Sequence, residues 1–515
     1  MPVWIKSRWI KIGAGVVVAV LVIAAVTIGS HWPFTHDDVV QALEQTFASS
    51  VEVQSFHVTY FAPGCVMESV TFRRNLDGRA PAIATAAKLT IRGSYAGFFM
   101  VPRRISRVKV EGLRVFVSPE SERLGNQALP PAPTDQTNVV IGEITADGAI
   151  VEFSSGEKGA LPAKFEIHKL TLNGAGEDRA MAFHAALKIP TPPGEVRADG
   201  QFGPLKRDDV GQTAASGEYS FDHADLGAFP AIAGTLSSTG KFGGVLSRLN
   251  VQGKTEVPDF AVDRGGHPVD LKTQFAATVD GMNGDVALNS VTVAFGKTAL
   301  FVRGDVSGKS GAHASDDGKT VSLAGAQQKG SIQDWLKLLA KAEHPAMAGA
   351  MNFRVQVRVP LADASFIQRV NLTGDFTIGS ADFTKAATQQ AVDKLSQVAV
   401  GDKPNDDPDA VEETMRGHVE MKNAVANFTD LYFYVPGVKV HVHGTYGILT
   451  EKIDLHGHLR VDHKLSKGSS GLKGAFLRVA EQFFRTSKKV QHAEIVPIKI
   501  GGTFGEPTYG LDLIK

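Results

Sequence analysis

Short runs in which apolar and polar residues alternate recur along the chain from residue 51 onward, and Gly, Pro or Asn separate them. The runs VEVQSFHVTYF (51–61) and RVKVEGLRVFVS (107–118) are typical examples. Alternation with a period of two predicts β-strands that bury one face. We therefore predict a mainly β protein.

A strand, a glycine turn and a returning strand form a phrase that recurs at residues 234–262, 289–308, 370–384 and 440–457. The spacing between these phrases is irregular. We interpret them as a degenerate β repeat, in which each unit packs on its neighbours.

Composition divides the chain into regions. Residues 119–138 contain LPPAPTDQTN and are the best linker candidate. The linker separates a first β region, residues 32–118, from a repetitive β region, residues 139–330. Residues 331–515 form a C-terminal region in which helices interrupt the β pattern.

The N-terminal segment predicts the topology. Residues Ile12 to Gly29 carry no charge, and the flanking charges on the N-terminal side are all basic. This length approaches the roughly 20 residues of a spanning helix, and the basic flank favours a cytoplasmic N-terminus. We predict a cytoplasmic tail at 1–11 and a transmembrane anchor at 12–31, with the rest of the chain across the membrane. The alternative is a cleaved signal peptide.

Three further helices are predicted. Thr35 with Asp38 forms a capping-box signature before a short amphipathic helix. Ser331 with Asp334 forms the same signature before a helix that ends near Pro345. Another helical pattern covers residues 385–399.

Composition limits the function classes. Lys+Arg and Asp+Glu both number 54, so no global basic field attracts nucleic acid. The count of 53 Gly residues suits many strands joined by tight turns. Cys65 is the single cysteine, which excludes an intrachain disulfide. We expect Cys65 to be a partly buried structural residue and the stability to come from β packing.

One hairpin carries candidate chemistry. Taking the turn at Leu449–Thr450 places four imidazoles on one face, as the pairs His443–His456 and His441–His458. The opposite face then pairs Val440 with Leu459 and Tyr446 with Ile453, which supports this register. Four imidazoles could bind Zn²⁺ or Cu²⁺. The alternatives are a solvent-exposed polar face, favoured by the cationic neighbours Lys439 and Arg460, or a pH-responsive surface.

Enzyme signatures are missing from the sequence. It contains no G-x-S-x-G, H-E-x-x-H, P-loop or dinucleotide-binding fingerprint. The cluster of Ser220, Asp222, His223 and Asp225 is interpreted as turn polarity. The acidic segment 402–413 is interpreted as a solvated loop, because it lacks the ordered spacing of a calcium loop. We predict no catalytic residues and no cofactor.

The last 185 residues resemble the AsmA-like family of bacterial envelope proteins. The resembling phrases, in the order of the family, are DWLKLL (334–339), LTGDFTIGSADFT (372–384), VDKLS (392–396), DLYFYVPGVKVHVHGTY (430–446) and VPIKIGGTFGEPTYGLDL (496–513). At the other end, an apolar N-terminal segment, a short helix and YFAPGCVMESVTFRR (60–74) resemble the chorein-like start of the same family.

The resemblance implies a bridge-like lipid-transfer protein. Such a protein has an elongated, curled β-sheet with an apolar groove, a single-pass anchor in the bacterial inner membrane and its bulk in the periplasm. The implied function is binding or conducting phospholipid for outer-membrane biogenesis. The implied partners are membrane phospholipids, the inner membrane and outer-membrane or periplasmic proteins.

Two alternatives to lipid transfer remain open. A non-transporting envelope scaffold or outer-membrane assembly factor would have closed sandwich cores and a protein-binding edge. An exported hydrolase would need a convergent polar pocket, for which the sequence offers no motif. Alternation alone does not distinguish a groove from a sandwich core, so the sequence assigns no lipid-contacting residues.

Overall fold

The fold is taken from a computed structural model of the chain. It describes residues 12–31, 34–47, 49–73, 82–117, 139–153, 163–175, 180–190, 192–206, 209–229, 231–262, 266–282, 284–308, 319–339, 344–345, 347–360, 364–383, 413–435, 438–461, 495–503 and 507–512.

The protein is mainly β, with 25 strands in one long mixed sheet. The strands of the first half are β1 (Ser50–Thr59), β2 (Gly64–Arg73), β3 (Ala82–Gly93), β4 (Arg103–Glu111), β5 (Arg114–Val117), β6 (Val139–Phe153), β7 (Ala163–Ala175), β8 (Met181–Pro190), β9 (Pro193–Phe202), β10 (Ala214–Asp225), β11 (Ile232–Ala233), β12 (Thr235–Val245) and β13 (Arg248–Val262). Those of the second half are β14 (Val269–Val279), β15 (Val286–Phe295), β16 (Thr298–Gly308), β17 (Lys319–Ser331), β18 (Met347–Val359), β19 (Asn371–Phe383), β20 (Glu413–Lys422), β21 (Val425–Val435), β22 (Val438–Gly447), β23 (Ile453–Val461), β24 (Ile495–Gly502) and β25 (Pro507–Leu511).

Successive strands are antiparallel neighbours along almost the whole sheet, as expected for strands joined by short turns. The interruption lies at β4 and β5, which both pair antiparallel with β3 and parallel with β6. A parallel pair needs a crossover connection. Here that connection falls at the predicted linker, which lies outside the described residues.

The described helices are few: α1 (Ile12–Ser30), α2 (His36–Phe47), α3 (Tyr95–Phe98), α4 (Ile332–Leu339) and α5 (Phe366–Arg369). The predicted cap of α2 is confirmed, because the backbone N–H of Asp38 donates to Thr35 Oγ1 at 3.3 Å. The helix predicted at 385–399 lies outside the described residues.

Helix α4 forms where the sequence predicted it, but the predicted capping box is wrong. The Asp334 carboxylate instead accepts hydrogen bonds from the Lys297 backbone N–H at 2.7 Å and from Thr298 Oγ1 at 2.8 Å. Asp334 therefore fixes α4 to the turn between β15 and β16, and Ser331 Oγ donates to Gln333 instead.

Helix α1 coincides with the predicted apolar segment and packs on the sheet against β6, β4 and β7, with α2 beside it. Val17 and Ile28 are completely buried there. Gly29 lies so close to the sheet that a Cβ atom on it would come within 2.0 Å of Ile105 Cδ1. Within the described residues, no helix is long and apolar enough to cross a membrane. The membrane anchor and the localisation stay predictions.

One face of the sheet is apolar from end to end. Cross-strand pairs on this face include Met67–Leu89, Ile144–Leu172, Phe183–Gly200, Gly325–Val355 and Val442–Gly457. The opposite face pairs mostly polar residues, with exceptions such as Phe301–Ala326 and Ala294–Ala299. Because side chains alternate between faces, this pairing register places the apolar positions of every strand on the same side.

Strand β12 offers a test of close packing on the apolar face. A Cβ atom at Gly240, on this face, would lie 2.3 Å from Gln252 O and 2.7 Å from Tyr219 Cε1, whereas one at Gly243, on the polar face, would meet nothing closer than Ser216 Cβ at 3.7 Å. We expect Gly240→Ala to destabilise the fold by about 1–3 kcal/mol through overpacking. Gly243→Ala should be neutral or slightly stabilising.

The measurement is hydrogen exchange of the β10–β12–β13 backbone, with urea unfolding followed by circular dichroism. Equal effects of the two substitutions would contradict the close packing at Gly240.

Candidate functional site on the two faces of the sheet

The apolar face differs in exposure along the sheet. Near α1, side chains such as Ile141, Ile144 and Leu172 are at most 1% exposed. From β12 to β22 the same face carries half-buried side chains, including Val302 and Val355. An apolar surface that stays partly open to solvent is the type of surface that ligands or partners cover.

The centre of this half-buried stretch is made of alternating valines and glycines. Val302, Gly325, Val355 and Gly374 lie side by side on four neighbouring strands, β16 to β19. Val355 packs against both glycines: a Cβ atom would lie 2.6 Å from Val355 Cγ1 at Gly374 and 3.3 Å from Val355 Cγ2 at Gly325. A row of small and branched residues thus crosses the sheet at this level.

Helix α4 covers the apolar face at one edge of that stretch. The Trp335 ring meets Phe295 and Phe353 edge-on, with centroids 5.1 and 5.6 Å apart. Its Nε1–H donates to Oε1 of the buried Gln327 at 2.8 Å, and Gln327 Nε2 donates to Met351 O at 2.9 Å. The polar atoms under the helix are therefore paired, and α4 forms a fixed wall.

The polar face has its own depressions, which the sequence did not predict. Three of them, of about 970, 930 and 730 Å³, lie over β9–β15 and β15–β20. Their linings mix apolar atoms with charged side chains such as Lys241, whose Nζ lies 2.7 Å from Glu218 Oε1. That hydrogen bond raises the pKa of Lys241.

The histidine hairpin has the predicted register. His443 pairs with His456 and His441 with His458, while Val440 and Tyr446 pair with Leu459 and Ile453 on the other face. The prediction of the pairing is confirmed, and the four histidines lie on the polar face.

The histidines are engaged with different partners. The His441 ring stacks on Tyr432 at 4.3 Å, lies edge-on to His458 at 5.3 Å, and its Nε2 is 3.2 Å from Asp430. His456 lies between two carboxylates: Nδ1 is 2.9 Å from Asp512 and Nε2 is 3.2 Å from Asp454.

These contacts bear on the metal hypothesis. Lys499 binds Asp454 at 3.0 Å, and this hydrogen bond lowers the pKa of Asp454. In the part of the chain that the structure describes, no three His, Cys, Asp or Glu side chains are grouped to hold a metal ion. Zinc or copper at His441, His443, His456 and His458 thus receives no support from the geometry.

Beside the histidines lies an array that the sequence analysis missed. The Arg416 guanidinium lies over the rings of Tyr432 and Tyr434, 5.0 and 5.6 Å from their centroids, and the two tyrosines are stacked at 6.1 Å. Arg416 faces Tyr432 across β20 and β21, and Tyr432 faces His441 across β21 and β22. The alternation of Tyr432 and Tyr434 in LYFYV was the available signal.

The remaining candidates have structural explanations. Cys65 is fully buried, and burial raises the pKa of its thiol to about 12. Ser220 donates to Asp222 at 3.1 Å, and Asp225 accepts from the Gly227 backbone N–H at 2.8 Å. The prediction of turn polarity is wrong for Ser220, Asp222 and His223, which lie within β10, whereas Asp225 caps the short turn at Leu226–Ala228. Residues 402–412 of the acidic loop lie outside the described residues.

No protein-family model matches the chain, and no curated protein sequence is significantly similar to it.

A histidine on the polar face gives a pH-dependent prediction. His418 Nδ1 lies 2.7 Å from Asp375 Oδ1, and this hydrogen bond raises the pKa of His418 above its ordinary value of about 6.5. We expect Asp375→Asn to lower the pKa of His418. Because the raised pKa belongs to the folded state, the stabilisation is fully present below the unfolded pKa and is lost as pH rises through the folded pKa.

The pKa can be measured by NMR titration of ¹³C-labelled histidine, with His418→Gln identifying the signal. Unfolding of the wild type and Asp375→Asn at several pH values tests the sign. A stability difference that grows with pH would contradict the contact.

Proposed function

We propose that this protein binds phospholipid in a groove along the apolar face of its sheet and conducts it through the bacterial envelope for outer-membrane biogenesis. The apolar face, which continues from strand to strand across several β-bulges and is half-buried from β12 to β22, is the observation that carries the proposal. The resemblance to AsmA-like proteins supports it. In this proposal the chain is attached to the inner membrane and its bulk lies in the periplasm.

The physical argument rests on the cost of exposing acyl chains. Each CH₂ group left in water costs ~0.8 kcal/mol, so a phospholipid crosses an aqueous space only on an apolar path. Strands in a sheet lie ~4.8 Å apart, so 25 strands extend over roughly 100 Å. An apolar path of that length is long enough to hold several lipids in sequence.

The pairing of large residues with glycines supports a groove. On the apolar face Phe242 lies opposite Gly217, Phe275 opposite Gly253 and Phe376 opposite Gly417. A ring beside a glycine fills the space of the missing side chain and lets the sheet bend. The proposal therefore includes a curled sheet, because open sheets with so many strands curl.

The proposal assigns no reaction and no cofactor to the chain. Its contacts to lipid are apolar side chains on the sheet. Val302, Val355 and the glycines between them are the lipid-contacting residues that we assign.

A second candidate function is a scaffold that binds envelope proteins. The array of Arg416, Tyr432, Tyr434 and His441 on the polar face favours it, because Arg and Tyr are enriched where proteins bind each other. The two functions use opposite faces of the sheet and can be tested separately.

Site-specific photocrosslinking tests the lipid groove. The photoreactive residue p-benzoylphenylalanine is placed at Val302 or Val355 on the apolar face of the full chain in cells. The matched controls are Arg303 and Gln356, their neighbours in sequence, which are exposed on the polar face. We expect phospholipid adducts, identified by mass spectrometry, at the two valines alone. Adducts to protein only, or equal lipid labelling of both faces, would refute the groove.

A carboxylate introduced among the assigned lipid-contacting residues should reduce the amount of phospholipid bound per chain. We expect the pair Val302→Asp and Val355→Asp to lower the phospholipid bound per chain severalfold, because an acyl chain cannot solvate a carboxylate. The pair Arg303→Asp and Gln356→Asp is the control for added acid. Quantitative lipid extraction from the purified chains measures the effect, with circular dichroism to confirm the fold. Unchanged lipid content in the valine pair would contradict the assigned path.

A further inference from the structure

Two neighbouring loops expose a concentration of large apolar side chains. Twelve large hydrophobic residues are exposed in the described part of the chain, and six of them lie in two short segments, residues 60–61 and 95–101. Phe61 and Val101 are 107% and 94% exposed, and Tyr60, Phe99 and Met100 are at least half exposed. We call these five residues the apolar loop patch. A cluster of this kind costs solubility and marks an interaction surface.

The sheet holds the two loops together. The Tyr95 hydroxyl donates to Tyr60 O at 2.6 Å, and the Gly93 backbone N–H donates to Pro63 O at 2.8 Å. Thr59 Oγ1 also donates to Ala62 O at 2.7 Å within the first loop. These hydrogen bonds hold the two loops in place, so the exposed side chains of the patch project from a rigid support.

The base of the second loop is packed next to the end of α1. The buried Phe98 meets Phe34 edge-on at 5.7 Å, and Arg103 Nη1 donates to Ser30 O at 2.5 Å. The patch thus lies beside the C-terminal end of the apolar helix.

The two loops and the adjoining strand ends carry basic and no acidic side chains, whereas the exposed Asp37 and Asp38 lie on α2, next to Phe34. The sequence has no Asp or Glu in residues 53–67 or 78–110. Arg92 and Arg104, at the roots of the second loop, are both exposed. Apolar tips with basic roots complement a bilayer that has apolar chains beneath anionic headgroups.

We propose that the apolar loop patch inserts into the surface of an anionic phospholipid membrane. Tyr60, Phe61, Phe99, Met100 and Val101 enter the boundary between headgroups and acyl chains, and Arg92 and Arg104 contact the phosphates. This end of the sheet therefore faces the membrane. The inference goes beyond lipid carriage and does not depend on it.

A fluorescent label at the loop tips tests the insertion. Cys65 is buried and its thiol pKa is raised to about 12, so a thiol reagent labels only an introduced cysteine. The full chain carries Phe61→Cys or Phe99→Cys with the environment-sensitive fluorophore NBD and is reconstituted in phosphatidylcholine vesicles with or without phosphatidylglycerol. Leu449→Cys, an exposed apolar residue in the turn after β22, is the control.

We expect the labels at 61 and 99 to shift to the blue and to be quenched by brominated acyl chains, while the label at 449 keeps its emission in water. Labels at 61 and 99 that stay accessible to aqueous iodide on vesicle-bound protein would overturn the proposal. A blue shift that needs no vesicles and grows with protein concentration would also overturn it, because the patch would then bind a second copy of the chain.

The arginines give an independent readout. We expect Arg92→Gln and Arg104→Gln each to lower quenching of the 61 label on phosphatidylglycerol vesicles, with about a fivefold weaker insertion equilibrium per charge removed. Phosphatidylcholine vesicles should show no such change, and an equal change in both vesicles would refute the phosphate contacts. Phospholipid bound per chain is measured on the same protein preparations before reconstitution, because vesicle lipid masks it afterwards. Lipid carriage without insertion refutes this inference alone, and insertion without bound lipid refutes the proposed groove alone.

Discussion

The pairing register of the strands is the constraint on which the rest of the structure depends. Side chains alternate between the two faces of a strand, so a slip of one residue would move every apolar side chain of that strand to the polar face. The protein keeps the register even where the alternation breaks. On β6 the apolar positions Ala146 and Ala149 are three residues apart, and on β7 Ile167 and Leu170 are also three apart, yet Ala146 pairs with Leu170 and Ala149 with Ile167. Gly148, with φ of 65°, takes up the extra residue on β6. The irregularities on β6 and β7 lie opposite each other, and together they keep the apolar side chains of both strands on one face.

The sequence predicts those features that depend on local pattern. The mainly β class, the Thr35 cap and the pairing of His441 with His458 follow from alternation, capping chemistry and matching faces. Features that join distant residues are not predicted. Asp334 carries a local capping signature, but its hydrogen bonds reach the turn at Lys297, which only the folded sheet brings near. An evenly apolar helix such as α1 has no polar side, so the sequence does not determine whether lipid or protein surrounds it.

The candidate functional features lie on different faces of the sheet. The apolar face is closed by α1 and α2 at the N-terminal end and by α4 along one edge, and it is half-buried between them. The polar face carries the carboxylate-paired histidines, the Arg416–tyrosine array and the charged depressions. With a formal net charge of zero, the chain has no long-range field, and its local charges act over short distances. We therefore infer lipid contact on the apolar face, protein contact on the polar face and a membrane at the loops beside α1.

The central claim is that phospholipid occupies the apolar face, and native mass spectrometry tests it most directly. The full chain is released from detergent in the gas phase, where the mass of each retained phospholipid is resolved. The account predicts several phospholipids per chain that survive removal of loosely bound lipid. A chain that retains none under these conditions would contradict the account and favour the scaffold.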